Sequence, residues 1–313
     1  MVKKIYSSLL SFGRVKLKTT VILGALVGLS STISYAQLSG TKTINPSGSG
    51  ANNYTTFQAA VTALSSQGVN GPVTFIVSAG TYNEQIEIPN INGASATNTI
   101  TFEGGEGNAA TRVLQTSATS TTNAHTLRFN NSRWIRFRNI TIQNNGTAAG
   151  MGVHFFNGSN DIIIKKCRII VNSTSTSTAF KAISTVNTAI VSDGTGCGNG
   201  GSSGLFNIYI DSNTISGGYF GIFLTSSYTV TSIPYYFFIT NNTIENAFYY
   251  GIGAANAPCY LIEGNYVKMR TGNANSYGFY HCNGSNSGNR IYNVSSNIWE
   301  NCGYAAIQWQ TNN

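Results

Sequence analysis

Short apolar runs separated by polar breaks recur through most of the chain. IRFRNITI, IIIKKCRII, IYIDSNTI, FFITNNTI, YLIEGNYV and YNVSSNIW each set one apolar residue five positions before another. The pairs are Phe137/Ile142, Ile164/Ile169, Ile210/Ile215, Ile239/Ile244, Ile262/Val267 and Val294/Trp299. In the last four copies the residues between them include Asn213, Asn242, Asn265 or Asn297. Successive copies are 27, 46, 29, 23 and 32 residues apart. The value of 46 predicts a degenerate copy near residues 182–191. A second motif follows the first, as YFGIFL at Tyr219, YYGIGA at Tyr249, SYGFYH at Ser276 and GYAAIQ at Gly303.

Alternation over so few residues predicts strands that cannot bury a core alone. Stacked in parallel at ~4.8 Å, each buried side chain sits on its equivalent in the next coil. The expected fold is therefore all-β: a right-handed, single-stranded parallel β-helix, a solenoid. Asn at each bend is expected to take left-handed backbone geometry and to bond its copies above and below. A β-propeller needs blades at a longer period, and a β-sandwich has no such period. Residues 192–204, rich in Gly and Ser, read as an outward loop.

The amino-terminal third differs. Phe57, Ala60, Val61 and Leu64 fall at helical spacing behind Thr56, which predicts a short helix that closes the core. Lys3, Lys4, Arg14, Lys16 and Lys18, the apolar run over 21–29 and Ser34-Tyr35-Ala36 predict a secretory leader cleaved after Ala36. The expected organisation is a leader over 1–36, a cap segment with a short helix over 37–70, and the β-helix over 71–313. No amphipathic cap follows the last strand, so the end is expected to be truncated or covered by a partner or further domain.

The leader changes the charge argument. The whole chain has 18 Lys+Arg against 10 Asp+Glu, a formal charge of +8. Without the five leader cations, 13 remain against 10, or +3. No dense basic stripe of the kind that nucleic acids need is left. Five cysteines, Cys167, Cys197, Cys259, Cys282 and Cys302, permit disulfides in an exported protein, and their odd number leaves one unpaired. No Cys/His spacing predicts a metal.

YTTFQAAV and AGTYNEQIEIP, within residues 54–89, resemble the opening of pectin methylesterases. GPVTF, GTYNEQ and SATNTITFEG are similar to exported surface β-helix proteins of gliding and marine bacteria. The wider resemblance is to the pectin-lyase-like superfamily, and the repeated strands carry it from Thr101 to Trp309. It implies fold rather than activity. The QDTL-like, DFIFG-like and LGRPW-like motifs that hold the esterase Asp, Asp and Arg are missing from this sequence. Adjacent Asp residues of polygalacturonases and the RxPxxR context of pectate lyases are missing too. Tyr82 and Glu84 match the esterase opening, where those positions serve structure.

The resemblance places a working groove on the outward face of the repeated strand. One outward ladder is Arg138, Lys165, Asp211, Thr240, Glu263 and Ser295. Its neighbour is Arg136, Ile163, Tyr209, Phe238, Leu261 and Asn293. The expected ligand-contacting residues are Arg136, Arg138, Lys165, Tyr209, Asp211 and Glu263, and no catalytic set is assigned. Asp211 and Glu263 should lie two coils apart, ~10 Å, too far to share a Ca²⁺; a calcium ion enters only if the chain is a lyase. Arg128, Arg133, Arg136, Arg138, Lys165, Lys166 and Arg168 read as one basic patch for a sulfated or uronic-acid polysaccharide. His125, His154 and His281 fall on different coils with no carboxylate beside them. Tyr219, Phe220, Tyr249, Tyr250, Tyr277 and Tyr304 recur at the coil period and read as stacked core or corner residues. The expectation is an exported or cell-surface module that binds carbohydrate or mediates adhesion. The alternatives are a polysaccharide lyase or hydrolase and a structural spacer.

Overall fold

In the computed structural model the chain climbs through three sheets in fixed order, and every strand pair is parallel. The structure describes residues 36–186, 204–225, 237–255, 259–283 and 293–311. Among them, sheet A has ten strands and sheets B and C eight each. One coil runs Ile135–Arg138 in A, Thr141–Asn144 in B and Gly150–Phe156 in C, and the next begins at Asn160–Lys165 in A. This is a right-handed parallel β-helix.

The core is a set of side-chain columns. Phe102, Phe137, Ile164, Ile210, Ile239 and Ile262 stack along sheet A. Leu114, Ile142, Ile169, Ile215, Ile244 and Val267 do so in sheet B. Leu127, Val153, Ile183, Ile222 and Ile252 do so in sheet C. All are fully buried, each worth roughly 2 kcal/mol of transfer free energy. The five-residue spacing of the sequence is the step from the A column to the B column. Gly221 in YFGIFL fits where C crowds B: a Cβ there would lie 2.7 Å from Ile244 Cγ2.

The A–B corner corrects one expectation. The left-handed residue is not the ladder Asn but the one before it: Ser212 (φ 57°), Asn241 (55°) and Ser296 (56°), with Gly264 at 66°. The freed Asn turns inward. Asn213 Nδ2 donates to Ile164 O and to Asn242 Oδ1 at 2.9 and 3.0 Å, and Asn242 and Asn265 repeat the pattern one coil on. Cys167 extends the ladder with its backbone N–H to Asn213 Oδ1 at 2.9 Å. Each buried Asn amide at this corner thus finds its partners.

The interval of 46 residues is a second correction. Asn160–Lys165 pairs directly with Phe206–Asp211, so no degenerate coil lies between them. Phe180–Ser184 is the sheet C strand of the same coil. Of the expected outward loop, residues 192–203 lie outside the described residues.

The helix spans Phe57–Gln67, with Thr56 Oγ1 accepting the Ala59 N–H. Glu84 accepts the Phe57 and Gln58 N–H groups at 3.0 and 2.8 Å. Tyr82 donates to Ile44 O at 3.0 Å. Phe57 stacks on Phe102, whose ring continues to Phe75 and Phe137. The segment before the helix also contributes a strand, Leu38–Ile44, to sheet A. Cys282 is disulfide-bonded, Cys167 and Cys302 are free thiols, and Cys197 lies outside the described residues. No helix of the described residues is long and apolar enough to cross a membrane.

Candidate functional site

Alternation sends every second residue of a sheet A strand outward, and the register aligns those residues into two columns. Glu103, Arg138, Lys165, Asp211, Thr240, Glu263 and Ser295 form the first. Thr101, Arg136, Ile163, Tyr209, Phe238, Leu261 and Asn293 form the second. All six residues expected from the sequence lie on this face. Arg136, Arg138 and Lys165 meet on two adjacent coils, Tyr209 and Asp211 share the next, and Glu263 stands two coils beyond Asp211.

The charges on this face are partly spent on one another. Lys165 Nζ lies 2.7 Å from Asp211 Oδ2. Asp211 Oδ1 also accepts from Thr240 Oγ1 at 2.8 Å and Asn241 Nδ2 at 3.2 Å. Burial opposes ionisation of Asp211, but these bonds outweigh it and hold the carboxyl below its usual range. Ser295 donates to Glu263. Among the described residues neither Arg136 nor Arg138 joins an ion pair, and the buried Arg138 Nε has no hydrogen-bond partner. Burial first, and then the Arg138 charge, pull the Arg136 guanidinium below its usual value.

An open pocket of about 500 Å³ lies where this face meets the A–B corner, lined by Glu103, Glu106, Arg138, Asn139, Lys165 and Lys166. Glu103 Oε1 accepts from Gly105 N and Asn139 Nδ2, both at 2.7 Å, and not from Arg138. Lys166 pairs with Glu106. Further along, Tyr209 and Phe238 stack at 4.3 Å with planes 3° apart. Phe238 covers one face of the Tyr209 ring, and the exposed remainder of Tyr209 offers a surface on which a sugar can lie.

The expected single basic patch is divided among three sheets. Arg168 points out from sheet B beside Thr141 and Thr214. Arg133 is bridged to Asn160. Arg128 belongs to sheet C and is buried. Residues close in sequence were carried around corners, and each sheet faces its own way.

Sheet C holds a group that sequence spacing did not reveal. Glu87, Arg128, His154 and Ser184 are register neighbours on its outward side. Arg128 Nη1 donates to Glu87 Oε2 and Arg128 Nε to His154 Nδ1, both at 3.0 Å. Asn130 Nδ2 donates to Glu87 Oε1 at 2.8 Å. His154 Nε2 lies 3.0 Å from Val186 O, which fixes the proton on Nε2. A carboxylate does therefore accompany a histidine, through an arginine. Burial drives His154 to about 3 against the opposing bond to Val186. Burial, Arg128 and His154 take His125 to about 2. Glu87, Arg128 and His154 sit on successive coils but 41 and 26 positions apart, so no constant offset in the sequence exposed them.

The corner aromatics are stacked as expected. Phe220 and Tyr250 are buried at 5.2 Å, and Tyr219 and Tyr249 follow at 5.1 Å. Tyr304 is exposed, 5.1 Å from Tyr277. Among the described residues no group of three or more His, Cys, Asp or Glu is placed to hold a metal.

No family model matches the sequence, and no curated protein matches it either. Among solved structures the chain is similar to YbhC of Escherichia coli, with 12% identity over 86% of this chain and 74% of that one, at a TM-score of 0.51. It is also similar to the pectin methylesterases of carrot (12% identity, 88% and 91% covered, TM-score 0.49) and Aspergillus niger (14%, 87% and 88%, 0.47). At 12% identity the likeness to YbhC shows a shared fold and nothing more.

Proposed function

We propose that this chain is an exported protein that docks an anionic polysaccharide on the outward face of sheet A and holds it without turnover, as an adhesive or cell-surface module. The observation that carries the reading is the Arg136–Arg138 pair. Two guanidinium groups share one strand, neither is neutralised among the described residues, and Arg138 Nε lacks an acceptor. Like charges side by side repel, and a carboxylate or sulfate laid between them turns that repulsion into charge-assisted bonding. Successive coils repeat at ~4.8 Å, so a polymer lying along the columns meets a fresh set of side chains at each step. The basic stretch, apolar run and Ser34-Tyr35-Ala36 of the leader support export. Binding without turnover is supported by the layout of the acids. Asp211 is committed to Lys165, Thr240 and Asn241, and Glu263 stands two coils away.

The test is a panel of polygalacturonate, alginate, a sulfated glycan and a neutral glucan, offered to the mature protein. The expected result is salt-sensitive binding of the charged polymers, weakened at least about tenfold in R136A/R138A, or ~1.4 kcal/mol. Equal binding of the neutral glucan, or none of any polymer, would sink the reading. Accumulation of unsaturated product, with or without added Ca²⁺, would replace it with the lyase alternative.

A further inference from the structure

We propose that the pocket at the A–B corner is a subsite for one sugar-borne oxyanion, a carboxylate or a sulfate ester, held by Arg138, Lys165 and Lys166 and restrained by Asp211 and Glu106. The proposal rests on the polysaccharide reading for the sugar, while its preference for an oxyanion stands on the pocket alone. The volume of about 500 Å³ exceeds that of a single oxyanion and accommodates the ring that bears it.

The three cations are available to different degrees. Arg138 is committed to no acid among the described residues. Lys165 is lent to Asp211 and Lys166 to Glu106. Neither acid is stranded if its lysine swings to a ligand. Asp211 keeps Thr240 Oγ1 and Asn241 Nδ2. The Glu106 side chain is 80% exposed, so water replaces the ammonium. Both lysines are themselves more than 40% exposed and free to turn. Glu103 on the opposite wall is already held by Gly105 N–H and Asn139 Nδ2, so it neither competes for Arg138 nor needs a cation. An incoming oxyanion thus exchanges two loose ion pairs for contacts with three cations. This exchange gives the subsite a signature that a passive basic patch lacks: removing a nearby negative charge should improve binding by releasing a lysine.

Calorimetric titration of the mature chain with inorganic sulfate, glucuronate and glucose 6-sulfate, with glucose as the neutral control, tests this. R138A and K165A should each weaken oxyanion binding about tenfold, and D211N and E106Q should each tighten it about threefold. Circular dichroism of every variant checks that the β-helix persists. Preference between glucuronate and glucose 6-sulfate assigns the source of the oxyanion. Glucose binding as well as the charged probes, or D211N and E106Q leaving affinity unchanged or lower, would overturn the subsite. If the small oxyanions follow the expected pattern but no polymer binds, the subsite stands and the polysaccharide reading falls. If polymers bind through Arg136 and Arg138 while the small probes ignore Lys165 and Lys166, the reverse holds.

Discussion

Sheets A and C are built by the same coils, and both arrange charge along an outward column, yet their charges live in opposite surroundings. On sheet A the Lys165 and Asp211 side chains are 41% and 18% exposed, and each partner has water or a neutral donor within reach. On sheet C the Arg128 side chain is 8% exposed, His154 is fully buried, and Lys181 is fully buried above the Phe220 and Phe223 rings. Ala118, Ala124, Ala149 and Val186 pack against that face in a second apolar cluster. The same secondary structure therefore gives an exchangeable polar surface in one place and a fixed polar core in another. An ion pair in water contributes little and can trade partners, whereas a buried one costs several kcal/mol to break because its partner is left stranded.

The largest expected effect is acid sensitivity seated in sheet C. His125 and His154 are held neutral, at about 2 and about 3, while the unfolded chain titrates near 6.5. Between those values the unfolded state binds protons that the folded state refuses, so stability is complete above pH ~6.5 and falls as pH falls. The slope is ~1.4 kcal/mol per unit per histidine, or about 5 kcal/mol for both by pH ~4.5. Urea unfolding across that range measures it; His281, which burial takes to about 4 on the same sheet, adds a third such contribution, so H154N should remove about a third of the slope. A flat profile would mean that the sheet C face is wet after all.

Arg128→Met comes next. It leaves the buried His154 Nδ1 without its donor, while Glu87, 40% exposed, keeps Asn130 and water, for a loss of about 3 kcal/mol, seen as a lower urea midpoint. Asn242→Ala removes the middle of the corner ladder that joins the last four coils. It strands Ile210 O and the Asn213 N–H, while Asn265 Oδ1 keeps the backbone N–H of residue 242, at about 3 kcal/mol. Smallest is Lys165→Ala on sheet A, at ~0.5 kcal/mol or less, with the thermal midpoint nearly unmoved. A Lys165 effect as large as that of Arg128 would erase the contrast between the two faces.

Sheet A was legible because its corner into sheet B has constant length. Phe137 to Ile142 and Ile262 to Val267 span the same five residues, so one alignment fixed both outward columns. Tyr209 beside Phe238 and Lys165 beside Asp211 follow from that alignment without further information. Arg128, His154 and Glu87 were not legible. They follow connections of unequal length, with bonded partners 26 and 41 positions apart, and no fixed offset joins them. The basic patch failed for a related reason: Arg128, Arg138 and Arg168 are near in sequence, but the corners between them leave them on sheets C, A and B.

What the sequence settled alone was the repeat: a polar corner of fixed length, an apolar column on either side of it, and hence a parallel β-helix with a helix over one end. Tertiary structure alone decided which residue at each corner bends the chain, how the 46-residue interval is bridged without an extra rung, and which outward face is dry. Spacing is a local property and survives in the chain, but burial depends on what distant segments lay over a surface. The charges of Arg128 and Arg138 look alike in the sequence, and only their surroundings make one a structural pin and leave the other uncommitted to any acid among the described residues.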